Sequence, residues 1–391
     1  TPPEFHSHQA KPRGNVKGLN FVSRIMVPYG PNLYGDPPLQ TDPEERPWLG
    51  YGFGMGAGEE MALDAVNHFA YVASSVGFVT IVDYHEMTEP RLTDYAIYFE
   101  EQEEIYDLVV CPQQKWLFVS IASRGVLQVY STVQRNNPDN PQLLVEIPIQ
   151  GGVPSNLLPN KDCTLLAVSN ENAEEAKYGT VTFLRDLENI NQGEEPSQIN
   201  IPMDADASGD KAWDDAYVLG KGLHMPLTKN ALEYWDVHSP IAQSTNFTYL
   251  RDEANYRSSL FLEGEVLAWA NPEETELLVN LQINNGLLRI DVANNRALAL
   301  AGYGLKYHGE VPVDIDSSDG TCNLKTYSNL FALRSPDSIR TLKYNDRLYV
   351  LTANEGDDKK FGGYQDMVEA RSLFVVSSAC TVFGVKYRGI R

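Results

Sequence analysis

Leu108-Val-Val-Cys-Pro-Gln-Gln-Lys-Trp-Leu-Phe-Val-Ser120, followed by Gly125-Val-Leu-Gln-Val-Tyr130, decides the fold. It reads as an apolar strand, a short polar turn with Pro, a second apolar strand, a glycine turn and a third strand. The same order returns in Asp64-Ala-Val-Asn-His-Phe-Ala-Tyr-Val72 with Gly77-Phe-Val-Thr-Ile-Val-Asp83. It returns again in Leu157-Leu-Pro-Asn-Lys-Asp-Cys-Thr-Leu-Leu-Ala-Val-Ser169 with Gly179-Thr-Val-Thr-Phe-Leu184. A fourth copy is Val266 to Val279 with Gly286-Leu-Leu-Arg-Ile-Asp291, and a fifth is Ile339 to Leu351. Short apolar runs broken by turn residues, with amphipathic helical patterns scarce, are the all-β signal. Val72, Val119 and Val168 sit at equivalent second-strand positions, 47 and 49 residues apart. That period is the length of a four-stranded propeller blade.

The expected architecture is therefore all-β, a β-propeller of four-stranded blades, in preference to unrelated hairpins in a sandwich. The interval from Val168 to Val279 is 111 residues and must carry an insertion, placed at 187–261. Residues 1–58 read as a Pro- and Gly-rich extension with a closing-strand candidate at Leu19 to Val27, and 59–391 as the propeller. Five copies in 391 residues leave the ring either small or an incomplete seven-bladed one.

Acidic residues number 53 against 31 basic, a net charge of −22. Such a chain lacks the basic face that polyanion binders need, so nucleic acid is excluded as a partner and cations are permitted. The longest uncharged apolar-leaning run, Ser372 to Val385, has 14 residues and is too short for a membrane-spanning helix. The chain opens at Thr1 without a signal peptide, as a processed secreted protein or a fragment would. Four cysteines without a C-x-x-C suit disulfides in an oxidising compartment or buried thiols in the cytosol, and argue against structural zinc. Adjacent blades bring Cys111 and Cys163 within reach, leaving Cys322 with Cys380 by remainder. The sequon at Asn246 favours secretion and marks that residue as a glycosylation candidate.

Asp204-Ala-Asp206-Ala-Ser208-Gly209-Asp210, ending in Asp214-Asp215, is the sharpest acidic cluster. From Asp204, oxygen donors fall at Asp204, Asp206, Ser208 and Asp210, a glycine at the sixth position and Asp215 at the twelfth, the spacing of a calcium loop. Asp314, Asp316 and Asp319 before Gly320 repel one another unless solvated or bridged by a cation. Asn354, Glu355 and Asp357 follow an apolar strand, where propeller loops line one end of the ring. Hard oxygen donors without nearby His or Cys favour calcium or magnesium over transition metals. No G-x-S-x-G, P-loop, H-E-x-x-H or dinucleotide-binding context is present.

Asn280-Leu-Gln-Ile-Asn-Asn-Gly286, Gly304-Leu-Lys-Tyr-His308, Pro336-Asp-Ser-Ile339 and Leu351-Thr-Ala-Asn-Glu-Gly-Asp357 occur in this order. Together they resemble the choice-of-anchor I family of extracellular β-propellers, which includes a mesenchyme-specific cell-surface glycoprotein of sea-urchin skeleton-forming cells. Ser169-Asn-Glu-Asn172 and Leu262-Glu-Gly-Glu265 are similar to further turns of that family. The resemblance implies an extracellular or cell-surface, calcium-binding structural or matrix glycoprotein without catalysis, linked to biomineralised or surface assemblies. Its expected partners are calcium, other matrix proteins or further copies of itself. The competing expectation is a metal-dependent phosphohydrolase on the same scaffold.

Overall fold

Each repeat closes into its own antiparallel sheet. The computed structural model describes residues 22–28, 30–31, 49–50 and 56–366, apart from 76, 100–102, 172–178, 205–212, 227, 229–257, 316–319 and 362–363. A two-residue pair, β1 (Gly30–Pro31) with β2 (Leu49–Gly50), precedes the blades. The first blade is β3 (Glu60–Asp64), β4 (Phe69–Ser74), β5 (Phe78–Asp83) and β6 (Arg91–Tyr98). The second is β7 (Ile105–Cys111), β8 (Trp116–Ile121), β9 (Val126–Ser131) and β10 (Leu143–Pro148). The third is β11 (Val153–Pro159), β12 (Leu165–Glu171), β13 (Thr180–Arg185) and β14 (Ser197–Pro202). The fourth is β15 (Leu267–Trp269), β16 (Glu276–Leu281), β17 (Gly286–Asp291) and β18 (Arg296–Gly302).

A short pair, β19 (Leu305–Tyr307) with β20 (Phe331–Leu333), leads to the fifth copy. Among the described residues that copy is a hairpin, β21 (Pro336–Tyr344) with β22 (Arg347–Asn354). Its turn residues Asn345 and Asp346 both have positive φ, as a tight two-residue hairpin requires. The last pair is β23 (Lys360–Phe361) with β24 (Tyr364–Gln365). First strands of consecutive blades lie side by side, β3 against β7, β7 against β11, β11 against β15 and β15 against β21. That is the arrangement of blades around an axis.

The blades pack face to face, which is why runs such as Trp116–Ile121 are apolar without alternation. Leu117, Val119 and Ile121 meet Tyr71, Val79 and Ile81 of the first blade. Trp116 and Phe118, on the other face of the same strand, meet Leu157, Leu166 and Val168 of the third. Val181 and Phe183 then pack with Leu277, Val279 and Leu288 of the fourth. At the free face of the first blade, Ile25 and Val27 cover Ala70, Val72 and Val82.

Two expectations change here. Residues 22–28 carry no strand; they are extended and alternate between exposed and covered, so they dock by side chains rather than by pairing. Residues Ser197–Pro202, expected inside the insertion, form the outer strand of the third blade because Ile199 and Ile201 register with Phe183 and Val181. The non-blade segment between the third and fourth sheets therefore begins after Pro202. Its described parts contribute Trp213, Val218, Leu223, Met225, Phe261 and Leu262 to the core between those sheets.

Cys111 and Cys163 form a disulfide joining the second and third blades across 52 residues of sequence. Cys322 is exposed, and Cys380 lies outside the described residues. Closing a loop of this length removes enough unfolded-state entropy to stabilise by about 4 kcal/mol in the chain-entropy model, with about 2–4 typical of measured bonds. The double variant Cys111→Ala/Cys163→Ala is expected to lose stability in that range by chemical denaturation. A non-reducing peptide map should show the Cys111–Cys163 linkage.

Candidate functional site

Because neighbouring strands run antiparallel, the segment entering each first strand and the one leaving each second strand lie at the same end of a blade. At this end Glu171 closes β12, Glu263 and Glu265 lead into β15, Asp337 lies near the start of β21, and Asp357 and Lys359 follow β22. Glu263 is buried, and Lys359 Nζ donates to its Oε2 at 2.6 Å, an ion pair largely out of water. In the amide orientation that matches donor to acceptor, Gln282 Nε2 lies 3.0 Å from Glu265 Oε1 and 2.5 Å from Oε2. His224 Nε2 meets Asp366 Oδ2 at 3.0 Å.

Burial pushes the Glu171 carboxyl up to about 7, and Glu263 and Asp357 add to the rise while Ser155 and Lys359 oppose it. Burial also holds Glu265 well above the usual carboxylate range, with Glu171, Glu263, Asp357 and Asp337 pushing the same way. The neighbouring Tyr106 is pushed up to about 12 by burial and by the field of Glu171, Glu104, Glu263 and Glu265. On the adjoining first strands, burial raises Asp107 to about 7 against the N–H groups of Leu157 and Leu108. Burial likewise raises Glu60, assisted by Asp337 and Glu59 and opposed by Arg340. The arrangement is a set of carboxyl groups whose burial and mutual repulsion raise their affinity for protons, and so suits protons or a positively charged ligand.

The Asn280–Gly286 turn beneath them is structural. Asn284 is fully buried; its Nδ2 donates to Phe261 O at 2.6 Å and His224 O at 3.0 Å, and its Oδ1 accepts Glu263 N–H at 3.0 Å. Asn285 Oδ1 accepts the N–H groups of Arg334 and Ser335, and Asn280 Nδ2 donates to Pro336 O. One turn thus fixes the approach to β15, the His224 segment and the start of the fifth blade.

Among the described residues, those singled out from sequence are not brought together at one point. Asp204 is fully buried, and its carbonyl accepts Trp213 N–H. Asp215 opens α1 (Asp215–Gly220) and accepts Ser258 Oγ at 2.7 Å, while Asp214 caps that helix by accepting Tyr217 N–H. Asp214 supplies the acceptor that a helix start requires, while Asp215 ties that start to Ser258. Asp206, Ser208 and Asp210 lie outside the described residues, as do Asp316, Asp319 and Asn246. Asp314 accepts Asn323 N–H at 2.8 Å. Asn354 and Glu355 are exposed, and of their group Asp357 acts on Glu171 and Glu265. Among the described residues no three His, Cys, Asp or Glu side chains converge on one point as a ready-made metal site. Sequence reading assigned no role to Glu171, Glu263 or Glu265. The signal was present, since all three stand in the two turns that carry the family resemblance.

A propeller of four-stranded blades with buried carboxyl groups at one end of its axis is the class that fold and site define. The chain belongs to the choice-of-anchor I domain family, which matches residues 59–381. Such domains fit surface-anchored or secreted proteins, and no described helix is long and apolar enough to cross a membrane. No functionally curated protein matches the chain. Hydrazine synthase of Kuenenia stuttgartiensis is 12% identical over 67% of this chain and 57% of its own, with a TM-score of 0.36. A functionally unknown protein from Desulfotomaculum acetoxidans is 12% identical over 61% of this chain and 55% of its own, with a TM-score of 0.37. The chain thus spans less than two thirds of either, and likeness at this level carries no inference.

Two outcomes are expected. Asn284→Ala removes three buried hydrogen bonds and should cost about 2–4 kcal/mol in denaturant unfolding. Glu171 has a folded pKa of about 7, above its ordinary 4.5. Its contribution is therefore fully present below about pH 4.5 and is lost as pH rises through about 7. Glu171→Gln should flatten that slope and raise stability at pH 8 by about 1–2 kcal/mol, read from denaturation midpoints at pH 5 and pH 8.

Proposed function

We propose that this chain is a non-catalytic extracellular or cell-surface protein that binds calcium at the acid-rich end of its propeller axis. The observation behind this reading is the grouping of Glu171, Glu263 and Glu265, with Asp357 beside them, where burial and mutual repulsion raise the proton affinity of Glu171 and Glu265 and Lys359 pairs with Glu263. Oxygen donors without histidine suit a hard divalent cation. Binding would draw the carboxylates inward in exchange for their protons, with Lys359 giving up its place on Glu263. Calcium would then add stability to the folded state and fix the fourth and fifth blades against the third. The 204–215 loop is the weaker location, since Asp214 caps α1 and Asp215 already accepts the Ser258 hydroxyl.

The cross-blade disulfide supports an oxidising compartment. Glycosylation at Asn246, a structural or matrix role, and a link to biomineralised assemblies like that of the sea-urchin glycoprotein belong to the same proposal. Melting in chelator and in several millimolar calcium tests it. At pH 8 calcium should raise the midpoint by a few degrees, and less at pH 6, where protons compete. The double variant Glu171→Gln/Glu265→Gln should lose the calcium response, whereas Asp206→Ala should keep it. Identical midpoints in chelator and calcium would refute the reading. Turnover of a phosphoester that disappears with Glu171→Gln would replace it with the hydrolase.

A further inference from the structure

We propose that His68 and His85 form a two-imidazole site for a late transition-metal dication of the Cu²⁺, Ni²⁺ or Zn²⁺ class, at the end of the first blade opposite the carboxyl groups. His68 lies in the turn from β3 to β4 and His85 just after β5, so both sit at the far end of that sheet. Their Nδ1 atoms are 3.5 Å apart, and their ring planes meet at 70°. That separation is long for a nitrogen–nitrogen hydrogen bond, whose useful range ends near about 3.2 Å. It suits a shared metal. With metal–nitrogen bonds of about 2.1 Å, two nitrogens at this distance subtend about 113°, close to the tetrahedral angle.

Each imidazole stands on a braced turn. The Asp64 carboxylate accepts the N–H groups of Val66 and Asn67, both at 2.9 Å, which shapes the turn before His68. His68 itself has φ of 59°, and its carbonyl accepts Tyr84 N–H at 3.0 Å, tying it to the segment that carries His85. His85 N–H donates to Asp83 Oδ1 at 2.9 Å, and Arg135 clamps the same carboxylate at 2.6 and 3.1 Å. The Tyr84 ring lies edge-on to His68, with centroids 5.8 Å apart. The backbone under both donors is thus held in place before any metal arrives, which lowers part of the ordering cost of binding.

Asp83 is spent on Arg135, and among the described residues no third His, Cys, Asp or Glu completes the set. Water fills the remaining positions, so the site is open and of modest affinity. Imidazole donors rank copper above nickel and zinc and have little use for calcium or magnesium. The ion class is therefore opposite to that expected at the carboxyl end, and this inference stands independently of that reading.

The test uses the whole chain with one equivalent of Cu²⁺, followed by electron paramagnetic resonance, and melting curves with Cu²⁺, Ni²⁺, Zn²⁺, Mg²⁺ and Ca²⁺. His68→Asn keeps a residue that tolerates positive φ, and His85→Gln changes an exposed side chain without touching the backbone bonds. The expected result is hyperfine coupling to two imidazole nitrogens in the wild type. The midpoint should rise by about 2–4 °C at a hundredfold excess over Kd, strongest for Cu²⁺. Both signals should be lost in either variant. His6 and His8 are common to all three proteins, so the difference reports on the pair alone. Spectra and shifts that are the same in wild type and His85→Gln would overturn the proposal, and that includes copper held only by the N-terminal histidines.

Discussion

The buried carboxylate of Asp107 is the tie on which the inner edge of this molecule depends. It accepts the N–H of Leu108, the N–H of Leu157 and the side-chain amide of Asn156, the first-strand residues of two blades, each at 2.7 Å. Asn156 Oδ1 accepts the N–H of Leu267 at 2.9 Å, and the Asn156 N–H donates to Ser169 Oγ. Three blades are linked in one relay. First strands of neighbouring blades share no ladder, so their inward N–H groups need acceptors from side chains. Leu157 has such an N–H because β11 is irregular between Pro154 and Leu157. Burial raises the cost of a charge at Asp107, and the donors offset much of that cost.

Around this polar edge the apolar faces settle how far the blades can repeat. The middle strands of the second and third blades, β8, β9, β12 and β13, are covered on both faces, so adding a blade means adding a matching apolar face. The hairpin of the fifth copy meets the fourth blade through Ile339 and Val350 against Ala268 and Leu278. Its other face carries Leu342, Tyr344, Tyr349 and Leu351, all exposed, whereas the free face of the first blade is covered by Ile25 and Val27. The two ends of the described arc are therefore unlike each other.

The blades were legible because two-faced burial writes itself as uninterrupted apolar runs at a fixed period. The outer strand of the third blade was not, since Ser197-Gln-Ile-Asn-Ile-Pro202 is half polar and gains its place only from pairing with β13. The Cys111–Cys163 bond followed from the blade period, because equivalent positions in adjacent blades are neighbours in space. The acidic site was harder to read. Dense runs such as Asp204–Asp215 attract attention as a pattern, yet dense charge is tolerated where water or a helix terminus can take it. Glu171 is about ninety residues from Glu263 and Glu265 in sequence, and the three meet only when two separate segments close over one another. The Asn280–Gly286 motif points to them only indirectly, by holding the turn that delivers Glu263.

The allocation of cations gives the carboxyl end its character. The chain has few positive groups for its charge of −22, and several are committed far from that end. Arg135 reaches from the second blade to Asp83, to the Asn67 carbonyl and over the Phe69 ring of the first. Arg185 reaches from the third blade to the Val292 carbonyl and Asn295 of the fourth. Both tie neighbouring blades at the end where each first strand turns into its second. At the other end Lys359 pairs with Glu263, and Arg340 acts on Glu60 and Asp107. Guanidinium groups held in blade-to-blade ties at one end stand apart from the buried carboxyl groups of the other, where Glu171 raises the proton affinity of Glu265.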